Sequence, residues 1–185
     1  MTNHKPLIKN SQGMTLIEVL MVIAIIFILL GTSFVGYREK GEELGLQRAA
    51  FKVVADIERV RGMAMSAHEE KTSGEVPLGG WGIYFDSDNP YQYILFADLD
   101  ADKFRKTDAT EDVETIYLEE NIIIKNLSPS NPLDIVFSPP SPDVYLQGEL
   151  LSIDEVNIII AITDDSSKTK TISINSVGLI TSTSN

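Results

Sequence analysis

The sequence predicts an α+β protein in which a long N-terminal α-helix packs on an antiparallel β-sheet or sandwich. Two observations lead to this fold class. Helical hydrophobic periodicity runs through the first part of the chain, and short β-rich segments separated by turn residues follow from Gly79 onward. A helix that precedes a run of strands is typical of an α+β domain, with the helix laid against the sheet.

The helix is expected to begin in a strongly apolar segment. Uninterrupted apolar residues run from Val19 to Leu30. The segment 14–36 would be about 34 Å long as an α-helix, which matches the hydrocarbon core of a bilayer. We therefore predict that 14–36 is the transmembrane half of the helix. One acid, Glu18, lies near its start, although a carboxylate in hydrocarbon costs about 2.5–3.5 kcal/mol on insertion scales.

An amphipathic half of the helix is expected over 37–72. Its apolar residues recur every three or four positions, which places them on one helical face. They are Leu46, Ala50, Val53, Ile57, Val60, Ala64 and Ala67. We expect this stripe to pack on the β-rich domain, and we expect Thr72-Ser73-Gly74 to end the helix.

The β-rich globular domain is expected over 73–185. Its strands are predicted from short runs rich in β-branched and aromatic residues, bounded by turn residues. The predicted strands are Trp81–Phe85, Tyr91–Ala97, Thr115–Leu118, Ile122–Leu127, Leu133–Phe137, Val156–Ile162, Thr169–Asn175 and Leu179–Thr181.

The charge of the chain is unevenly distributed. The first thirteen residues carry two lysines and no acid, whereas the chain from Lys71 onward carries seven Lys or Arg and nineteen Asp or Glu. A basic leader favours a cytoplasmic N-terminus, with the acidic domain on the other side of the membrane. An acidic domain repels phosphate backbones, which disfavours nucleic-acid binding. The absence of cysteine excludes disulfides and cysteine redox chemistry.

The start of the chain has the features of a processing signal. An ordinary secretory signal is cleaved at small residues after its apolar stretch, but no such site follows Leu30. The small residue Gly13 instead lies before the apolar run. Cleavage after Gly13 would remove only the basic leader, 1–13, and would leave the helix attached with Met14 as its new terminus.

The segment Gly13-Met14-Thr15-Leu16-Ile17-Glu18-Val19-Leu20 resembles the cleavage and methylation signature of type IV prepilins and type II secretion pseudopilins. In that family a membrane-embedded prepilin peptidase cuts after the glycine and methylates the new terminal amine. The resemblance implies cleavage between Gly13 and Met14, N-methylation of Met14 and an assembly role for Glu18. Met14 departs from the phenylalanine that the family most often has there. The Glu18 carboxylate would pair with the terminal amine of another subunit and fix the axial register.

Three later segments, 56–64, 80–85 and 172–180, resemble GspH/FimT-type minor pseudopilins and pilins. The resemblance implies a pilin-like fold and a minor structural subunit of a type II secretion pseudopilus or a type IV pilus. It implies as partners other pilin or pseudopilin subunits, the prepilin peptidase and an inner-membrane assembly platform. The chain would cross the cytoplasmic membrane once and then enter a periplasmic or surface fibre. A DNA-binding minor pilin for DNA uptake and an anchored protein that is not assembled are the alternatives.

A calcium site is one interpretation of Asp98, Asp100 and Asp102. These acids alternate after a predicted strand, as in calcium loops, where several carboxylate oxygens converge on a hard cation. However, Lys103 stands where such a loop has glycine, and Ala109 stands where it has glutamate. The other interpretation is an acidic solvated turn that binds no cofactor.

Catalysis has little support in the sequence. His4 lies in the predicted leader and His68 lies alone near a helix end, a position more typical of a surface residue than of a general base. The sequence contains neither a nucleophile-elbow serine nor a phosphate-binding glycine loop. We therefore expect a protein that is not an enzyme.

Overall fold

The structure, a computed structural model, describes residues 13–70, 74–139, 143–152 and 155–184, without the side chains of 32–39. The predicted leader therefore lies outside the described residues, except for Gly13. The chain divides into two compact units, Met1–Gly41 and Glu42–Asn185.

The N-terminal helix, α1, extends over Leu16–Met65. It ends several residues before the predicted stop, of which only Gly74 lies within the described residues. Ala67 adopts a left-handed conformation with φ of 48°. The amide of His68 then donates to the Met63 carbonyl at 3.0 Å, and the amide of Ala67 donates to the Ala64 carbonyl at 3.2 Å. This is the Schellman pattern of a helix C-terminus, which normally uses glycine, so alanine gave no signal in the sequence.

The predicted transmembrane half of the helix, 14–36, is not confirmed. Within the described residues, no helix combines enough length and enough apolar character to cross a membrane. The structure does not describe the side chains of 32–39, and residues 32–36 belong to the predicted transmembrane half.

The strands form two antiparallel sheets. The first has the order β3-β2-β1-β5-β6-β7 and the second has the order β10-β9-β8-β4. In chain order the strands are β1 Gly80–Phe85, β2 Gln92–Asp98, β3 Asp112–Tyr117, β4 Ile122–Ser128, β5 Leu133–Phe137, β6 Val144–Leu146, β7 Glu149–Leu150, β8 Glu155–Ile162, β9 Thr169–Asn175 and β10 Ile180–Ser184.

Each strand that the sequence predicted overlaps an observed one, and the order of a long helix followed by antiparallel sheets is confirmed. The hairpin of β6 and β7 was missed. Its turn residues, Gln147 and Gly148, have φ of 51° and 81°. Two positive φ values match the tight type I′ turn, which usually carries Asn-Gly or Asp-Gly, so Gln-Gly was a weak signal.

The hydrophobic core joins the helix to both sheets within the unit Glu42–Asn185. The predicted stripe is buried from Leu46 to Ala64, and Ile57 is 0% exposed. Ala67 was wrongly included, since it follows the helix end and is exposed. Trp81 of β1 lies in this core, and its indole N–H donates to the His68 carbonyl at 3.1 Å.

Polar contacts hold the helix in place over the first sheet. The Tyr93 hydroxyl of β2 donates to the Asp56 carboxylate at 2.6 Å, at a position where Tyr93 is 1% exposed. Arg59 pairs with Glu114 of β3 at 2.6 Å. Burial and the contact with Asp56 raise the pKa of Tyr93. The hydroxyl therefore stays protonated and remains a donor.

Candidate functional site

The predicted processing segment lies at the N-terminal end of α1. Gly13, Met14 and Thr15 precede the first helical residue, Leu16, and are exposed. The peptide bond between Gly13 and Met14 is therefore outside the helical hydrogen-bond ladder. The structure does not test cleavage or methylation, which stay predictions.

Glu18 lies in the first turn of α1, where Thr15 caps the helix. The Glu18 amide lies 3.4 Å from the Thr15 hydroxyl oxygen and 3.1 Å from the Thr15 carbonyl oxygen. Thr15 and Glu18 therefore occupy the N-cap and N3 positions of a capping-box sequence. An acid at N3 also interacts favourably with the helix dipole. Glu18 thus has a local reason to be there, in addition to the predicted assembly role.

The first part of α1 exposes an extensive apolar surface. The large apolar side chains from Met14 to Leu30 are between 43% and 83% exposed. Soluble monomers rarely expose contiguous apolar patches of more than a few hundred Å². A helix that is hydrophobic all round is normally buried in lipid or in protein. This surface therefore points to a partner or a lipid environment.

These features are consistent with a comparison of the sequence with known families. Residues 8–34 match the family described as "Prokaryotic N-terminal methylation motif". This match supports a type IV pilin-like protein. No curated protein and no solved structure matches the chain significantly. The matched segment contains Gly13, Met14 and Glu18 but ends before the folded unit that begins at Glu42.

A second candidate site lies in the loop between β2 and β3, residues 99–111, which we call the acidic loop. Oxygen atoms of Asp98, Asp100 and Glu111 all lie within 4.8 Å of one another. Asp98 is the last residue of β2, and Glu111 directly precedes β3. Because the two strands are antiparallel, the ends of the loop meet there, as the bond from the Ala97 amide to the Glu111 carbonyl at 2.9 Å shows.

The grouping of the acids in the structure differs from the predicted one. Asp98 and Asp100 come together, but Asp102 is not part of the cluster, and Glu111 takes its place. Ala101 and Lys103, on either side of Asp102, have φ of 66° and 67°. The carboxylate of Asp102 instead accepts the Phe104 amide at 2.9 Å and pairs with Lys106 at 2.6 Å. The antiparallel pairing of β2 and β3 brings the two ends of the loop together. This pairing, and not the spacing of acids within the loop, was the signal that could have placed Glu111 beside Asp98.

Two acids of this cluster are buried. Asp98 is 0% exposed and Glu111 is 4% exposed. Glu111 accepts the amides of Leu99 and Lys106, at 3.0 and 3.2 Å. Asp98 Oδ2 accepts the Lys103 amide at 3.0 Å, whereas Asp98 Oδ1 has no hydrogen-bond partner within the described part of the chain. Burial raises the pKa of both carboxyls.

Contacts of Arg105 connect the middle of the acidic loop to the first sheet. Its guanidinium forms a two-point contact with Asp112, with both bonds at 2.6 Å, and lies 4.8 Å from the centre of the Tyr84 ring. Its amide donates to Asp134 of β5 at 3.1 Å. Burial raises the pKa of Asp134 to about 6, and the Arg105 amide opposes this shift only in part. The loop is therefore held to β1, β3 and β5 by side-chain and backbone contacts.

Proposed function

We propose that this chain is a minor pilin or pseudopilin, processed by a prepilin peptidase and assembled through α1 into a type II secretion pseudopilus or type IV pilus. The observation that carries this proposal is the exposed apolar surface of α1. It begins directly after Gly13 and Met14, within the matched methylation motif.

The first step is cleavage between Gly13 and Met14. A peptidase needs an accessible peptide bond, and this bond precedes the helix in an exposed segment. The product would have a methylated amine at Met14. Methylation keeps the charge of that amine, so the new terminus still attracts a carboxylate.

The second step is storage of the apolar helix in the cytoplasmic membrane, followed by its transfer into the fibre. Removal of apolar surface from water is favourable by about 25 cal/mol per Å². Side chains such as Leu16, which is 83% exposed, gain this energy only when lipid or a neighbouring subunit covers them. We expect an inner-membrane assembly platform to move the subunit, with the acidic β-rich domain outside the cytoplasm.

The third step sets the axial register between neighbouring helices in the fibre. Glu18 is the fifth residue after the cleavage point and lies in the first turn of α1, and a terminal amine at Met14 of a neighbouring subunit would neutralise its carboxylate. A charge pair of this kind is satisfied only at one axial stagger between helices. We therefore propose a structural role rather than a catalytic one for this chain.

The cleavage step is tested by mass spectrometry of the N-terminus in cells with and without prepilin peptidase. The expected product begins with methylated Met14 only when the peptidase is present. Gly13→Val is expected to abolish cleavage, whereas Gly31→Val, at a position with nothing within 4 Å of an added Cβ, is the matched control. An uncut chain in peptidase-positive cells would contradict the proposal and favour an anchored, unassembled protein.

The assembly step is tested with two variants of Glu18. Glu18→Gln keeps a side chain that suits the capping box but removes the charge, whereas Glu18→Ala removes both. If the charge sets the register, both variants are cleaved normally and both enter fibres poorly, as measured by immunoblot of sheared fibres. If the Glu18→Gln variant entered fibres at the wild-type level, the charge of Glu18 would not be needed for assembly and the pairing would be refuted.

A further inference from the structure

A cavity of about 280 Å³ lies where α1 enters the folded unit. It opens between the first turns of the helix within that unit, the start of β9 and the end of β10. Its lining includes two lysines, Lys168 and Lys170, the polar side chains of Gln47 and Ser184, and one acid, Glu43. The cavity therefore presents more positive than negative charge, together with neutral hydrogen-bonding groups.

Lys170 occupies a position that the strand pattern gives to the core. Side chains alternate between the two faces of a strand, so Lys170 shares a face of β9 with Ile172 and Ile174. Both isoleucines are 0% exposed, whereas Lys170 is half-buried at the end of their row. A lysine at the end of a core row directs its charge into the space between the sheet and the helix, which is this cavity.

The charge of Lys170 has a neutral partner. Its ammonium donates to the Ser184 hydroxyl at 2.5 Å, and none of the ion pairs within the described residues includes it. The chain from Lys71 onward carries nineteen Asp or Glu, yet none of them pairs with this half-buried ammonium. A hydroxyl satisfies a donor but does not neutralise a charge, so an anion in the cavity would be attracted to Lys170.

The second lysine brings its charge to the same cavity. The Lys168 ammonium lies 3.3 Å from Glu43 and 4.0 Å from Asp165. The side chain of Glu43 is 61% exposed, and ion pairs at such positions contribute little, so Glu43 can turn towards solvent. An anion that contacts Lys168 and Lys170 together would replace this exposed pair.

The position of the cavity along the chain indicates the source of such an anion, and on this point the inference rests on the proposed function. The predicted transmembrane half ends at Gly36, and Glu43 follows seven residues later, which is about 10 Å along an α-helix. The headgroup layer extends roughly 5–7 Å beyond the hydrocarbon core on each side of a bilayer. Arg38 and Lys40 lie within the same interval and add positive charge next to the membrane.

We propose that this cavity binds the phosphate headgroup of an anionic phospholipid. The ammonium groups of Lys168 and Lys170 hold the phosphate oxygens, and the Ser184 hydroxyl and the Gln47 amide are further donors. The contact holds the β-rich unit at the membrane surface while the subunit is stored there.

Native mass spectrometry of the full chain tests the site by counting the lipids that it retains. The chain is released from detergent micelles that contain equal amounts of phosphatidylglycerol and phosphatidylcholine. We expect wild type to retain one phosphatidylglycerol, preferred over phosphatidylcholine by about fivefold or more, because each lysine near anionic lipid contributes about fivefold. Lys170→Met removes the charge but keeps a long side chain, and it should lower this retention about fivefold.

Lys125→Met is the matched control. The Lys125 ammonium also donates to a neutral oxygen, the Ser166 carbonyl at 2.8 Å, but Lys125 does not line the cavity. Its replacement should leave lipid retention unchanged. Glu43→Gln removes the acid that competes for Lys168 and should raise retention severalfold, a gain that misfolding cannot produce. Fluorescence of the buried Trp81 checks that each variant is folded.

Four outcomes would overturn the proposal. They are equal retention of the two lipids by wild type, equal losses in Lys170→Met and Lys125→Met, lower retention in Glu43→Gln, and displacement of phosphatidylglycerol by an equal concentration of inorganic phosphate. The last outcome would identify free phosphate as the ligand. The same spectra give the mass of the chain and so show whether it begins at methylated Met14. A failure of lipid binding is thereby distinguished from a failure of the proposed processing.

Discussion

Replacement of Ile57 by alanine tests how the C-terminal part of α1 is held on the β-rich unit. Ile57 is 0% exposed and belongs to the core that joins the helix to both sheets. Truncation of a fully buried isoleucine to alanine costs about 2–5 kcal/mol through lost transfer energy and the cavity left behind. We expect about 3 kcal/mol here, because Ile57 lies in a core that includes residues of both sheets, which limits the collapse of that cavity.

The matched control is Phe51→Ala on the same helix. It removes a larger side chain, but Phe51 is 59% exposed, so the expected change is within about 0.5 kcal/mol. Urea unfolding of the full chain in detergent, followed by fluorescence, measures both variants. Trp81 is the single tryptophan of the sequence and is 2% exposed, so its emission reports on this core. If Ile57→Ala cost no more than Phe51→Ala, the packing of the helix on the sheets would be refuted.

Three further predictions concern the first sheet. Tyr93→Phe removes the hydroxyl that donates to Asp56 at 2.6 Å and should destabilise the protein by about 1.5–3 kcal/mol in urea unfolding. Gly82→Ala should cost more than about 1 kcal/mol, because a Cβ there would lie 2.2 Å from the Phe96 ring. Asp134, whose pKa is raised to about 6, binds a proton in the folded protein at a pH where the unfolded chain has lost it. Wild type should therefore gain stability relative to Asp134→Asn as the pH falls from 7 to 4.

Each of these predictions has a control within the chain. Tyr117→Phe removes a hydroxyl from a side chain that is 65% exposed and should change stability by less than about 0.5 kcal/mol. Gly62→Ala adds a methyl group where nothing lies within 4 Å, so it should stabilise the helix by about 0.5–1 kcal/mol. A constant stability difference between wild type and Asp134→Asn over this pH range would show that the pKa of Asp134 is not raised. Equal effects of Tyr93→Phe and Tyr117→Phe would show that the bond to Asp56 contributes little.

The periodic parts of the fold were predictable because their signals are local. The spacing of Leu46, Val53 and Ile57 identified the buried face of α1, which needs no knowledge of the partner surface. The predicted strands were found for the same reason. The misses occurred where a residue adopted a conformation that its type rarely takes. Ala67 ends the helix in a left-handed conformation, and Gln147 does the same in the hairpin of β6 and β7.

The candidate sites also differ in whether their signals are local in the sequence. Gly13, Met14 and Glu18 lie within a few residues of one another, so their motif could be recognised from the sequence alone. The structure added the N-terminal cap, in which the Thr15 hydroxyl accepts the Glu18 amide, and so placed the Glu18 carboxylate at N3, where it interacts favourably with the helix dipole. For this reason glutamine is the informative substitution, since it keeps a residue type that suits N3 of a capping box and removes only the charge.

The sequence by itself determined the class of the fold, the buried face of the helix and the processing motif, since each is written in neighbouring residues. Only the tertiary structure decided which acids meet in the acidic loop. Glu111 joins Asp98 because β2 and β3 pair in antiparallel fashion and bring the two ends of the loop together. Asp102 was the better candidate by spacing, yet the backbone at Ala101 and Lys103 turns it towards Lys106. The spacing of acids in the sequence gives only their separation along the chain. Which carboxylates meet in space depends on how the strands of the sheet pair.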